Sequence, residues 1–481
     1  MVRRVTPEKV QYLPPTPGPP ILLGIKPDIG KPAGLAGPLA RPIAWFAPKA
    51  FPAAIRRNYA HELKATLLFS LALAAIEGGV VAVYAKQTWA DVVPSRRLNF
   101  LVALLGAAPE IANLVSFFWA QAAHGRPKVP LVNVLQAATV LLIAIVALIP
   151  DAPWGLPLLV AVVLAARVCW SGMLTVRPTI WRANYPRLMR ARVVGRLSTA
   201  QVVAVAIVGV LLGWILDVDR GWYPVVVTLA CAAGLLAVGV WAKVRVRRQG
   251  ALLRAETQGE RLLPPWKGPL VVWHVLRRDK HYAGFMLWMF VLGMGNLMLT
   301  PTLAITLKDQ FDFGYLHSIL IISTIQSVVV PLAIPMWARL LDRAHVVRFR
   351  SIHAWSFVAA AGAYLAGVAM HRVEPLLLGA VLQGIGMGGG TLAWNLGHVD
   401  FARASETSQY MATHVTLNGV RGLLAPLLAV TLYEVFRASG LHAPTGVMIV
   451  VCVFTCAGAL GFVRLRIVMG QLAARGIDRA A

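Results

Sequence analysis

The chain has 481 residues, of which 58% are hydrophobic and only 14% are charged. Its apolar stretches are too long and too numerous for a soluble protein with several cores, because a stretch of roughly 20 apolar residues crosses a bilayer as a helix. The formal net charge of +26 would favour nucleic acid, but the bases lie in connections between apolar stretches, so we predict anionic membrane lipids and no nucleic acid as partners.

The N-terminal segment, residues 1–63, is predicted to be a basic, proline-rich tail on the cytoplasmic side. Twelve prolines fall within residues 1–57, including the run PPTPGPP at 14–20, and a segment of this composition does not form a packed core. The first continuous apolar run begins after residue 60 and lacks a cleavage pattern, so no signal peptide is expected.

Twelve membrane spans are predicted next, which makes the chain an all-α polytopic membrane protein. The spans are expected at 65–86, 98–120, 130–149, 156–178, 197–217, 222–243, 282–305, 317–339, 350–370, 375–397, 409–434 and 444–466. They divide into a six-helix bundle over 64–243, a cytoplasmic linker over 244–281, a second six-helix bundle over 282–469 and a cytoplasmic tail over 470–481. Six spans on each side of a long linker are typical of a two-bundle transporter with parallel halves.

The basic residues alternate from loop to loop and thereby predict the topology. The termini and even-numbered loops hold 37 of the 46 Lys and Arg residues, the odd-numbered loops hold seven, and two arginines lie inside spans. Because Lys and Arg are retained on the cytoplasmic side during insertion, we expect both termini in the cytoplasm and the protein in a bacterial inner membrane. The two membrane sides are named below the even-loop side and the odd-loop side.

Four ionisable residues fall near the middle of spans, where a charge costs roughly 2.5–3.5 kcal/mol and therefore needs a partner, a wet cavity or a function. They are Glu77, Glu110, Arg167 and Arg421. We hypothesise that Glu77 and Arg167 face each other across a cavity of the first bundle and exchange partners as substrate and proton bind. The alternative is a permanent ion pair that only fixes helix packing.

Uncharged polar residues extend this candidate substrate and proton pathway. Asn418 and His414 share a helical face with Arg421, at spacings of three and seven residues. Gln326 and Gln383 lie within the eighth and tenth spans and are further cavity candidates. The two midspan arginines favour an anionic or zwitterionic small-molecule substrate, whereas the two glutamates leave a cation open.

No enzymatic chemistry, cofactor or metal site is predicted. The four cysteines lie within apolar spans without the spacing of metal ligands; they are Cys169, Cys231, Cys452 and Cys456. No Gly-x-x-x-x-Gly-Lys-Ser/Thr loop for ATP occurs, so transport would draw on an ion or substrate gradient. The buried glutamates favour a proton over sodium as the coupling ion.

Two loops in this layout resemble the signature of the major facilitator superfamily, Gly-x-x-x-Asp-Arg/Lys-x-Gly-Arg-Lys/Arg. The loop after the eighth span keeps the pair Asp342 and Arg343 but replaces both glycines. The loop after the second span keeps Gly125 and Arg126 but has Ala122 in place of the acid. The resemblance covers the chain from near residue 60 to its end. It implies that such acids latch onto neighbouring helices and stabilise the outward-facing state, with more of that role on the later copy here.

The same resemblance implies a secondary active transporter that moves a small solute by alternating access and is coupled to protons. In proton-coupled members an arginine of the fourth span is closely followed by a glycine; here Arg167 precedes Gly172 by five residues, a longer spacing. The alternative interpretation is a non-transporting protein of carrier fold that acts as a sensor or scaffold through its proline-rich tail. The identity of the substrate and the direction of transport are left open by the sequence.

Overall fold

The computed structural model describes residues 45–258, 268–341, 343–398, 400–402 and 407–474. In the N-terminal unit, Met1–Ala50, the described residues contain a 3-10 turn over Pro48–Ala50 and an edge contact between the rings of Trp45 and Phe46. The second unit, Phe51–Ala481, contains in its described part seventeen α-helices of five residues or more.

The helices are α1 (Ala53–Leu73), α2 (Gly78–Thr88), α3 (Ser95–Leu114), α4 (Ser116–Ala123), α5 (Lys128–Val146), α6 (Gly155–Asn184), α7 (Arg187–Val218), α8 (Tyr223–Trp241), α9 (Gln249–Gln258), α10 (Gly268–Arg278), α11 (Lys280–Asp309), α12 (Tyr315–Ile319), α13 (Ile325–Leu341), α14 (Val346–Met370), α15 (Val373–Leu396), α16 (Thr407–Ala438) and α17 (Ala443–Ala474).

The predicted all-α membrane fold is confirmed. Within the described residues, eleven helical segments are long and apolar enough to cross a membrane. The remaining span, predicted at 98–120, is occupied by α3 and α4, which meet at Val115. Arg96, Arg97 and Glu110 make α3 less apolar, and for this physical reason it is not among the eleven segments that are apolar enough to cross a membrane.

Helices extend into segments that the sequence predicts as tail and linker. The first helix, α1, begins at Ala53, because apolar residues continue at helical spacing before the long apolar run. The linker predicted over 244–281 contains two helices, α9 and α10. In α9, Glu256 accepts hydrogen bonds from the Gly125 amide (2.9 Å) and from Lys128 Nζ (2.6 Å). The linker is therefore tied to the loop that follows the second span.

Apolar side chains cover the outer surface of the helices, as expected of a protein surrounded by lipid. Leu229 and Leu332 are 66% and 75% exposed, for example, although both lie within spans. Lipid tails are as apolar as leucine, so hydrophobicity alone does not specify which helix faces meet. The polar contacts between helices therefore carry more information about function here than the apolar core does.

Polar contacts join the two halves of the protein at the odd-loop side. Lys86 Nζ, near the end of α2, lies 2.8 Å from a carboxylate oxygen of Asp309 at the end of α11. The same nitrogen donates to Asn99 Oδ1 of α3 (2.9 Å), and Asn99 donates to Glu434 Oε1 of α16 (2.8 Å). The four residues Lys86, Asn99, Asp309 and Glu434 are named the odd-loop gate.

A second contact between the halves lies on the same side. Asp217, in the last turn of α7, accepts hydrogen bonds from the amides of Tyr315 (2.7 Å) and Leu316 (2.9 Å) at the start of α12. A carboxylate at a helix N-terminus satisfies free amides and interacts favourably with the helix dipole. Together with the odd-loop gate, this cap holds α2, α3 and α7 against α11, α12 and α16.

Candidate functional site

The first span is interrupted at Glu77, in the middle of the chain segment that crosses the membrane. A 3-10 turn over Ala74–Ile76 follows α1, and Glu77 has extended backbone angles (φ −61°, ψ 134°) before α2 begins at Gly78. An interruption leaves backbone groups without helical partners, which is tolerated within a membrane where other groups bind them or where they line a cavity. Discontinuous helices form the binding sites of many transporters for this reason.

Arg167, in the middle of α6, binds the groups that the interruption exposes. Its Nη2 donates to the Ile76 carbonyl oxygen (2.5 Å) and to Glu77 Oε2 (3.1 Å). The Arg167 side chain is buried, with 5% of its surface exposed, whereas 36% of the Glu77 side chain is exposed. The structure thus brings together a buried arginine and a partly exposed glutamate.

The eighth span is also irregular, and it lies opposite this interruption. A π-helical turn over Leu320–Thr324 separates α12 from α13. Gly79 packs directly against this turn, since a Cβ at Gly79 would lie 3.0 Å from Ile322 Cγ2. Such π-helical turns are rare and frequently occur at functional sites. Two irregular helical segments, one from each half, therefore meet beside the Glu77–Arg167 pair.

A second polar group, named the central network, is formed by Glu110, Asn418 and Arg421 and crosses between the halves. Asn418 Nδ2 donates to Glu110 Oε2, and Arg421 Nη2 donates to Asn418 Oδ1. Arg421 Nη1 also donates to the carbonyl oxygen of Met289 in α11 (2.7 Å). Gly422 lies against Glu110, and any side chain at that position would overlap the glutamate. The contact between α3 and α16 is built around these residues.

The four midspan charges alternate in sign along this interface. Arg421 and, more weakly, Arg167 act on the Glu110 carboxylate through the Coulomb interaction. Arg167 is itself paired with Glu77, so the sequence of charges is negative, positive, negative, positive. Three of them belong to the first half and Arg421 belongs to the second. Because each charge stabilises its neighbours, a ligand that engages one arginine changes the electrostatics of the adjacent glutamate.

The two glutamines of the candidate pathway belong to separate polar contacts in the second half. Gln383 Nε2 donates to Asn296 Oδ1 and so joins α15 to α11. Gln326, at the start of α13, donates to the Tyr364 hydroxyl (3.3 Å). Among the described residues, the hydrogen bonds of both glutamines stay within the second half. Their part in substrate binding stays a prediction.

Comparison with known protein families decides the identity of this fold. A sequence model of the Major Facilitator Superfamily matches residues 67–369, which is more than half of the chain. The chain belongs to the Major Facilitator Superfamily. It is therefore an integral membrane secondary transporter of small solutes, and not an enzyme.

Solved structures of Major Facilitator Superfamily transporters share its fold. The nucleoside transporter NupG matches with a TM-score of 0.63 at 12% identity, covering 84% of this chain and 98% of that one. A D-xylose-proton symporter matches with a TM-score of 0.61 at 15% identity, covering 86% and 97%. An auto-inhibited POT family peptide transporter gives 0.63 at 12% identity, covering 85% and 96%. These identities support a common fold only. A comparison with curated proteins found no significant match.

The superfamily motif of the second loop is bound by a carboxylate from the linker in this transporter. Gly125 has a φ of +66°, a left-handed conformation that favours glycine, and its amide donates to Glu256 of α9. Ala122 stands at the position of the family acid, and among the described residues it is Glu256 of the linker whose carboxylate binds this loop. Arg126 and Arg343 are exposed at the even-loop side. Asp342 lies outside the described residues, and a gating role for these motif positions stays a prediction.

A buried acid in the first half is not recognisable from the hydropathy. Glu62 of α1 is fully buried and accepts hydrogen bonds from Trp181 Nε1 of α6 (2.6 Å) and from the hydroxyl of Tyr185 (2.5 Å), the residue that follows α6. Arg177 lies nearby, with its guanidinium 4.8 Å from the centre of the Trp241 ring. The sequence predicts that the first span begins at 65, so Glu62 falls outside it. Arg177 lies at the end of the span predicted over 156–178, and its charge is counted with the adjoining loop. The helical spacing that precedes residue 65 was the available signal.

Proposed function

We propose that this transporter couples the movement of a small solute to a proton gradient, with Glu77 as the proton-binding residue and Arg167 as its partner. The supporting observation is the ion pair at the interruption of the first span, in which the arginine is buried and the carboxylate is partly exposed. Burial disfavours the charged form of a carboxyl group, and a nearby arginine favours it. When a substrate binds Arg167, the arginine stabilises the negative charge of Glu77 less, and Glu77 takes up a proton.

The central network gives the second half its own charged group next to this pair. A solute held between Arg167 and Arg421 would contact both halves at once, as alternating access around a midplane site requires. Glu110 lies between the two arginines in the electrostatic order, so it would stabilise both when the site is empty. This arrangement favours proton coupling, because a proton taken up by a glutamate offsets the charge that a solute brings to the arginines.

The variant Glu77→Gln tests the coupling directly. Glutamine has the shape of the protonated acid but does not titrate, so the variant is expected to retain exchange of substrate while losing accumulation driven by a pH gradient. Reconstituted proteoliposomes measure both quantities with the same preparation: counterflow without a gradient, and uptake with an imposed gradient. We expect counterflow within about a factor of ten of the wild type, which corresponds to roughly 1.4 kcal/mol.

Glu374→Gln is the matched control, because Glu374 is an exposed acid at the start of α15 with 72% of its side chain accessible. This variant is expected to keep gradient-driven accumulation. Accumulation at the wild-type level by well-folded Glu77→Gln protein would instead assign Glu77 to helix packing.

We further propose that the even-loop side faces the cytoplasm at a bacterial inner membrane, where its bases contact anionic lipid headgroups. The 37 bases on that side, against seven on the other, support this orientation. In this orientation the odd-loop gate closes the transporter toward the outside.

Reporter fusions test the orientation. A reporter that is active only in the cytoplasm is expected to give a signal when fused at Gly259 or after Ala481. It is expected to be silent at Asp219 and Gly440, which lie in odd-numbered loops. A cytoplasmic signal at Asp219 would reverse the assignment of both membrane sides.

A further inference from the structure

Three arginines within the membrane-spanning helices of this transporter interact electrostatically with a glutamate. The pairs are Arg167 with Glu77, Arg177 with Glu62, and Arg421 with Glu110 through Asn418. Such pairing is expected, because an isolated charge buried in a low-dielectric interior is strongly disfavoured. Arg350 of α14 differs from these three.

Arg350 is 3% exposed, and no carboxylate of the described residues lies within ion-pair distance of it. Its Nη1 is hydrogen-bonded to His353 Nδ1 (3.2 Å), while its Nε has no hydrogen-bond partner in the described part of the chain. His353 is itself held by the Gly386 carbonyl oxygen (2.7 Å), so it is not free to turn toward another partner. The charged residue that acts on Arg350 is Arg421, which has the same sign.

His414 and Arg421 lie on α16, where Arg421 belongs to the central network. His414 is 2% exposed. Among the residues that the structure describes, neither His414 Nδ1 nor Arg421 Nε has a hydrogen-bond partner. Both Arg350 and Arg421 act electrostatically on His414. His414, Asn418 and Arg421 also line a cavity of about 10 Å³, which has room for about one water molecule.

We propose that Arg350, His414 and Arg421, named the basic cluster, bind an anionic oxygen group of the transported solute, either a carboxylate or a phosphate. Glu110 neutralises one of the two arginines, so the cluster retains a positive charge and unused hydrogen-bond donors, which is the complement of such an anion. The inference rests on the proposed transport function. Since the cavity has room for about one water here, a bound solute requires the helices around it to separate, and alternating access provides that movement.

Ligand-dependent thermal unfolding of the purified transporter tests the proposal. The probes are mono-, di- and tricarboxylates, inorganic phosphate and sugar phosphates, each measured beside its neutral amide or hydroxyl counterpart. We expect at least one anion to raise the Tm while its neutral counterpart does not. In Arg350→Gln the Kd of that anion is expected to rise by roughly ten- to a hundredfold, because a charge-assisted hydrogen bond is lost. Comparing carboxylates with phosphates identifies which of the two chemistries is bound.

Arg348→Gln is the matched control, since Arg348 lies on the same helix two residues earlier and is exposed. The Kd of the anion for this variant is expected to equal that for the wild type. If Arg350→Gln is not recovered in folded form, Arg350→Lys and His414→Gln are measured instead, and each is expected to weaken anion binding. The proposal would be overturned if no anion raised the Tm, whether or not neutral or cationic solutes did. An unchanged Kd in the variants of the basic cluster would overturn it as well.

The outcome separates this inference from the proton-coupling proposal. A neutral or cationic solute that is accumulated by a pH gradient would overturn the anion assignment and leave the role of Glu77 intact. An anion that binds the basic cluster and exchanges, without accumulation by a pH gradient, would support the assignment and remove proton coupling.

Discussion

Replacing Arg167 with alanine is expected to abolish transport and to destabilise the protein. The substitution removes both hydrogen bonds of Nη2, so the Ile76 carbonyl oxygen and the Glu77 carboxylate lose their partner at the interruption of the first span. Breaking a fully buried ion pair costs about 3–5 kcal/mol, and exposed pairs contribute less than about 1 kcal/mol. Because 36% of the Glu77 side chain is exposed, we expect a loss of about 2–3 kcal/mol.

The double variant Arg167→Ala/Glu77→Gln separates stability from function. It removes the orphaned charge, so it is expected to recover part of the lost thermal stability while remaining inactive. Arg167→Lys is expected to restore stability more fully, since one ammonium group can approach both acceptors of Nη2, but to restore transport only in part because the rest of the guanidinium is missing. Thermal unfolding in detergent and uptake in proteoliposomes measure the two effects. An active, fully stable Arg167→Ala protein would rule out the proposed role of the pair.

Replacing Lys86 with methionine is expected to open the odd-loop side. Lys86 is a buried member of the odd-loop gate, with 3% of its side chain exposed, and it binds both Asp309 and Asn99. Methionine keeps most of the volume but leaves both acceptors without this donor, a loss of about 1–3 kcal/mol. The contact with Asp309 joins the two halves and exists only when they meet at this side, whereas Asn99 belongs to the same half as Lys86. The equilibrium between conformations should therefore shift by roughly five- to 150-fold toward the one that is open there.

Spin labels at Asp91 and Arg372 in a cysteine-free background measure this opening, since the two residues are exposed in loops of different halves on the odd-loop side. The distance distribution is expected to move to longer distances in Lys86→Met. Lys308→Met is the matched control: Lys308 lies on the same side, but its ion pair with Asp312 is exposed, so its loss has little effect. An unchanged distribution in Lys86→Met would show that this gate does not hold the closed conformation.

The sequence identifies some of the buried arginines of the site but not others. Hydropathy identifies Arg167 and Arg421, because both stand deep within long apolar runs. Arg177 and Arg350 lie near predicted span ends, where snorkelling toward the headgroups is the usual behaviour, and the sequence counts both with loops. Both are buried in the structure, Arg177 against Trp241 and Arg350 against His353. The direction in which a terminal arginine points depends on the neighbouring helix, which hydropathy does not describe.

The interruption of the first span at Glu77 is likewise only partly predictable from the sequence. An acid followed by two glycines marks a weak point in the helix, and the sequence contains that signal. The break is compensated by Arg167, which is 90 residues away, and by the close approach of Gly79 to the π-helical turn of the eighth span. Local propensity alone does not reveal such partners.

The sequence by itself determined the class of protein, the number and order of the spans and the four midspan charges, because a bilayer imposes length and polarity on every segment that crosses it. Only the tertiary structure decided which polar residues meet. It joined Glu110 to Asn418 across the two halves, assembled the odd-loop gate from four separate helices and left Arg350 without a carboxylate among the described residues. The physical reason is that helix faces in lipid are selected by packing and hydrogen bonding between distant segments, for which a single sequence carries little local signal.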